Sequence, residues 1–266
     1  MLVTSYDSFI VIVSILVAML ASFTALDMAG RVVHSTGKVA LVWLFGGGFA
    51  MGIGIWAMHF IGMLSMNMEM VMSYNAGLTA FSAGIAVCAS IFALWLVCNG
   101  DLPLRRLAGG ALILGSGVVA MHYTGMAALM FSPGIVWNWR WIAVSVIIAL
   151  AASGAALWLA FNLREGQTGR VTLLRIGASV VMGAAIAGMH YTGMMAAEFP
   201  LHSHPTTHAS TATGWRFWSR WLPSQSSASR CWCPCWMPAC RRAPRFWPVR
   251  WPRRTVNWPN WRCTIT

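Results

Sequence analysis

The chain has 266 residues, 58% hydrophobic and only 9% charged, with a mean hydropathy of +0.65. Soluble domains carry about 25% charged residues, so this composition excludes a water-soluble globular fold. The net charge of +12 is unevenly placed: residues 1–202 hold eight Lys/Arg and all six acids, whereas residues 203–266 hold ten Arg and no acid.

A bilayer core needs about 20 apolar residues per helical crossing. Six such stretches follow one another at Ser8–Leu26, Val39–Met63, Asn75–Cys98, Leu107–Met130, Trp137–Phe161 and Leu173–Ala197. The expected fold is therefore all-α, a polytopic membrane bundle in contact with the lipid bilayer. No basic segment precedes the first apolar run, so the N-terminus does not read as a signal peptide. Arg31, His34 and Lys38 follow the first stretch, Arg105 and Arg106 the third, and Arg164, Arg170 and Arg175 the fifth. Only Glu69, Arg140 and Glu198 follow the even ones. Cytoplasmic loops retain Lys and Arg, which predicts a membrane protein with its N-terminus outside. Trp137, Trp139 and Trp141 suit an interfacial belt, and Asp27 suits a helix end or a partner for Arg31.

The even stretches share one motif. Met58-His59-Phe60-Ile61-Gly62-Met63 recurs as Met121-His122-Tyr123-Thr124-Gly125-Met126 and Met189-His190-Tyr191-Thr192-Gly193-Met194. The histidines are 63 and 68 residues apart, so the repeating unit is a helical hairpin. Residues four apart share a helix face, which pairs His59 with Met63, His122 with Met126 and His190 with Met194. Met58, Met121 and Met189 project about 100° away and line the edge of such a site. The motif glycines would let helices approach closely. Thioether plus imidazole is a donor set for copper, above all Cu(I), and the lack of carboxylates in the motif argues against magnesium, calcium or manganese. Haem held by two of the three histidines is the alternative. A structural reading, in which the histidines and methionines serve helix packing alone, also stays open. Met66, Met68, Met70 and Met72 alternate with other residues, a period of two that predicts an extended segment. That segment suits either metal capture or an apolar cover.

These motifs resemble the MHYT family of bacterial integral membrane sensor modules, built from three two-helix repeats plus a seventh helix. The resemblance covers residues 1–200; the first motif departs, with Phe60 and Ile61 in place of Tyr and Thr. It implies copper held by His59, His122, His190 and the motif methionines, a diatomic gas ligand (oxygen, CO or NO) or redox state as the signal, and a cytoplasmic cyclic-di-GMP output. A homodimer is an expected assembly, and nucleic acid is not an expected partner. The chain itself is expected to lack enzymatic activity. The functional alternative is a membrane copper carrier or metal-dependent redox protein.

Residues 201–214 form a junction, and residues 215–266 differ in kind, with nine Trp, ten Arg and five Cys. Cys231, Cys233, Cys235 and Cys240 imitate a metal site. The composition instead suggests a GC-rich gene read out of frame, with the shift between Leu201 and Trp215. Shifting the frame lets Asn257–Ile265 accommodate Leu-Ala-Glu-Leu-Ala-Leu-His-Asp, which resembles the start of a diguanylate cyclase (GGDEF) domain. The same shift turns Arg216–Leu222 into an apolar run where a seventh span belongs.

Overall fold

A computed structural model describes residues 5–67, 73–132, 134–166, 168–198 and 204–205. The methionines at 68, 70 and 72 and the whole of residues 206–266 lie outside them. Six helices among the described residues are long and apolar enough to cross a membrane: α1 Ser8–Val33, α2 Gly37–Leu64, α3 Ala76–Cys98, α4 Leu104–Ala127, α5 Trp139–Leu163 and α6 Gly169–Met195. The chain is a multi-pass membrane protein.

Helix α1 runs seven residues past the expected Leu26 because its one intramembrane acid is paired. Asp27 accepts from Arg31 at 2.7 Å, one turn on, and its other oxygen lies 3.5 Å from the guanidinium of Arg175 on α6. A charge so matched costs far less at a membrane edge than a lone one. The three odd helices begin alike. Asp7, Asn75 and Asn138 each cap with a side-chain oxygen that accepts from backbone N–H groups of the first turn.

The helices form a closed ring in chain order, each packed on its sequence neighbours and α6 returning to α1. Faces turned outward carry Phe9, Leu20, Val42, Phe81 and Ile147, all well exposed, as lipid contact requires. The even helices converge at their C-terminal ends around the motif histidines. The odd helices converge at the opposite end, where Leu26, Leu94 and Leu157 are buried in one cluster. These three leucines are spaced by 68 and 63 residues. The three hairpins are therefore related by an approximate threefold axis.

Short antiparallel pairs close the histidine end. Strand β1 (Ser5–Tyr6) pairs with β2 (Met66–Asn67), and β4 (Val136–Trp137) with β5 (Ala197–Glu198). The second hairpin has a single bridge, Tyr74 with Leu129, in the same place. A further pair joins β3 (Phe131–Ser132) to β6 (His204–Pro205). The extended backbone expected from the methionine alternation is present at Met66–Asn67, and Met66 is buried.

The ring is held tightly by glycine. Gly52, Gly115 and Gly183, each seven residues before a motif histidine, touch the backbone of the neighbouring odd helix at Val87, Leu150 and Met19. A Cβ at any of them would overlap main-chain atoms, which cannot move aside as a side chain could. Gly188 on α6 has open space where its Cβ would go. Gly52→Ala, Gly115→Ala and Gly183→Ala should each destabilise the bundle by about 1–3 kcal/mol. Gly188→Ala should be neutral, and reversible unfolding in mixed detergent micelles compares the four.

Candidate metal centre

Each motif histidine sits five residues before its helix ends, at His59 on α2, His122 on α4 and His190 on α6. Threefold related helix ends therefore deliver three imidazoles to one depth. All three are 1% exposed, and their ring centroids lie 4.8, 5.1 and 5.2 Å apart. The Nδ1 atom of His59 stands 3.1 Å from Nδ1 of His190 and 3.1 Å from Nδ1 of His122. One donor atom from each ring falls within 4.8 Å of the others, so the three can hold a metal ion.

The glycine of each motif makes this convergence possible, by a contact the sequence did not suggest. A Cβ at Gly62 would collide with Nε2 of His190, one at Gly125 with Nε2 of His59, and one at Gly193 with Nε2 of His122. The motif glycines thus make room for an imidazole from the neighbouring motif, in cyclic order around the axis. The three Nε2 atoms are buried and have no hydrogen-bond partner. A neutral imidazole has one N–H and one lone pair. Three Nδ1 atoms meeting at one point cannot all be paired by hydrogens, because His59 has one in-plane site and two neighbours. His59, His122 and His190 would each have a partner for the Nδ1 lone pair if they held a cation between them, with the protons then on Nε2. The two Nδ1 separations of 3.1 Å are within the span that one ion could bridge with nitrogen ligands about 2.0 Å away.

The motif methionines surround this layer. Met63, Met126 and Met194 are buried together in one cluster with Phe60, Met66 and Leu129, on the side of the short strands. Met58, Met121 and Met189 are equally buried, on the side of the bundle interior. Beyond them an apolar cavity of about 40 Å³ is lined by Met51, Ile55, Leu114, Met182, Ile186 and Met189, among others. Among the described residues, the buried titratable side chains are these three histidines and Arg175.

Sequence reasoning missed the ring of groups that fixes the motif helices. Tyr123 and Tyr191 hydrogen-bond through their hydroxyls to Ser145 on α5 and Ser14 on α1, at 2.8 and 2.7 Å. Trp137 and Tyr6 stack edge-on against the same two phenols. The signal was available as serines and aromatics at the 68- and 63-residue intervals already seen for histidine.

A family model described as a bacterial signalling protein N-terminal repeat, MHYT, matches residues 52–110, 115–172 and 183–214. The chain belongs to the MHYT family. It is 59% identical over 203 residues to the bifunctional diguanylate cyclase/cyclic di-GMP phosphodiesterase MucR of Pseudomonas aeruginosa, covering 76% of this chain and 30% of that protein. It is 38% identical over 196 residues to the signaling protein YkoW of Bacillus subtilis, covering 73% of this chain and 24% of that one. It is 37% identical over 192 residues to the cyclic di-GMP phosphodiesterase NbdA of P. aeruginosa, covering 72% of this chain and 24% of that one. The MHYT chain spans less than a third of the length of these relatives; what it covers is their MHYT region and not a catalytic domain. No solved structure matches it.

Adding one methyl tests the histidine–glycine contacts. Gly62→Ala, Gly125→Ala and Gly193→Ala should each displace the imidazole that faces them. Ring-¹⁵N NMR of the histidines should then show a shifted signal in each variant, whereas Gly188→Ala leaves the buried signals in place.

Proposed function

We propose that this MHYT chain is a membrane sensor module that binds copper through His59, His122 and His190, with Met63, Met126 and Met194 as the neighbouring soft donors. The observation that carries the reading is the meeting of three buried Nδ1 atoms, 3.1 Å apart in two of the pairs. Thioethers beside imidazoles favour Cu(I) over zinc, which prefers thiolate, imidazole and carboxylate. The same spacing supports a bare ion over haem, since a porphyrin plane has no room between nitrogens so close. Bound copper would supply an open coordination position for a diatomic gas and a one-electron redox couple. The residues' own part is to orient three lone pairs, exclude water and keep an apolar cavity beside the site.

The signal would pass along the bundle to a cyclic-di-GMP output domain on the cytoplasmic side. The cyclic di-GMP activities that MucR and NbdA are named for support that assignment. The N-terminus would lie outside, supported by the cluster of Arg31, Lys38, Arg105, Arg106, Arg164, Arg170 and Arg175 at the end opposite the histidines. Against a copper carrier, the buried layer beyond the cavity is Leu, Ala, Met and Val, with no histidine or carboxylate in it among the described residues for an ion to step to.

Residues 215–266 would be the product of a shifted frame. In support, the third family match stops at residue 214 and is about half as long as the other two.

The full chain purified from copper-supplied cells should retain about one copper per protein, and His122→Ala with His190→Ala should lose most of it. Equal metal content in that double variant, or a Soret band in the unaltered chain, overturns the copper site. For the frame, topology reporters placed after Thr266 and after the frame-corrected equivalent should report opposite sides of the membrane. A cytoplasmic signal from both contradicts it.

A further inference from the structure

The first motif has Phe60 where the others have tyrosine, so it lacks the hydroxyl that ties Tyr123 to Ser145 and Tyr191 to Ser14. The serine that should receive it is nevertheless in place. Ser14, Ser82 and Ser145 are spaced by 68 and 63 residues, the interval of the repeats, and all three are fully buried. Each donates its one hydroxyl hydrogen to the carbonyl three residues back: Ser14 to Val11, Ser82 to Thr79 and Ser145 to Ile142, at 2.7, 2.7 and 2.8 Å. With that hydrogen committed, each serine oxygen can only accept from the facing motif helix, and the group opposite must donate. At Ser82 the donor is the indole N–H of Trp56, at 3.1 Å. Trp56 lies three residues before His59; the equivalent positions, Val119 and Ala187, carry no donor. It sits one turn from Phe60, with ring centroids 4.8 Å apart.

We propose that Trp56 is a positioning residue of the histidine cluster, supplying to Ser82 the hydrogen bond that a tyrosine hydroxyl supplies in the other two repeats. The substitution conserves donor polarity and swaps phenol for indole one helical turn away on the same face. Its consequence falls on His59, the ring whose Nδ1 touches both of the others. A small rotation of α2 would part His59 from two neighbours at once, whereas a rotation of α4 or α6 leaves the remaining His59 contact in place. The indole–serine bond fixes that rotation against α3. The effect on metal rests on the copper reading; the effect on the imidazoles does not.

The test uses the full chain in lipid nanodiscs. Trp56→Phe keeps an aromatic ring and removes the donor, Ser82→Ala removes the acceptor, and Trp56→Phe with Phe60→Tyr restores a hydroxyl at the position used by the other repeats. Two quantities are read: the histidine ring-¹⁵N spectrum of the metal-free protein, and Cu(I) affinity by competition with a chromophoric chelator. Trp56→Phe and Ser82→Ala should both shift the buried imidazole signals and weaken Cu(I) binding about tenfold, the usual effect of losing an outer hydrogen bond at a metal site. Adding Phe60→Tyr to Trp56→Phe should return both to within about threefold of the unaltered chain, a recovery that loss of indole packing alone would not give. Unshifted signals in Ser82→Ala, or no recovery with Phe60→Tyr, overturns the proposal. A chain that binds no Cu(I) yet shows the shift and its recovery upholds the positioning role and removes the copper reading instead.

Discussion

Three imidazoles can meet at one buried point only because each stands over a glycine of the neighbouring motif. Any larger side chain at Gly62, Gly125 or Gly193 would occupy the volume of an Nε2 atom, and the ring of contacts is cyclic, so one displaced histidine disturbs the next. Much of the histidine end follows from this constraint. The even helices must bring their C-terminal turns together, and the odd helices must then spread at that end and close at the other. The 68- and 63-residue spacing of the buried leucines, glycines and serines is the record of that geometry.

A bilayer gives polar groups no water to fall back on, so their partners decide where they can sit. The serines show one solution, with a hydroxyl that donates to its own helix and accepts from the next. The arginines show another. Arg175 donates from Nε and Nη2 to the carbonyl of Leu163, Arg106 donates to Leu96, and Arg164 donates to Val97 and to Gly100. These satisfy carbonyls that the last turns of α3 and α5 leave without helical partners. They also place positive charge at the negative ends of those helix dipoles. The three histidine Nε2 atoms have neither solution, although each ring is fully buried.

The two ends of the bundle therefore differ in kind. One carries a buried cluster of imidazoles and thioethers under a cover of short strands and aromatic rings. The other carries guanidinium groups that join α3, α5 and α6 to one another and to Asp27 of α1. The helices between are packed glycine against backbone, with little freedom for one to move alone. A change in the separation of the imidazoles would therefore press on whole helices, since close-packed interiors are hard to compress and transmit strain.

Much of this was legible in the chain itself. Composition and apolar run length decided the solvent and the six spans, because a crossing needs a certain length whatever it packs against. The recurrence of His, Gly and Met decided the hairpin repeat and nominated the site residues, because helical periodicity places residues four apart on one face. The ends of α1 and α4 were misjudged by a few residues. Asp27 suited either a helix end or a partner for Arg31, and it is the partner, of Arg31 and also of Arg175, so α1 continues past it; Met130 suited helix although Leu129 already pairs with Tyr74. What only the tertiary structure decided was which motif faces which. The sequence holds three equal histidines and three equal glycines, and nothing in their spacing says that His190 lies over Gly62, His59 over Gly125 and His122 over Gly193. Nor does it say that Trp56 stands in for a missing hydroxyl, because that bond joins residues 26 positions apart on different helices. Closing six helices into a ring brings the last motif against the first, and that closure alone sets the order of the contacts.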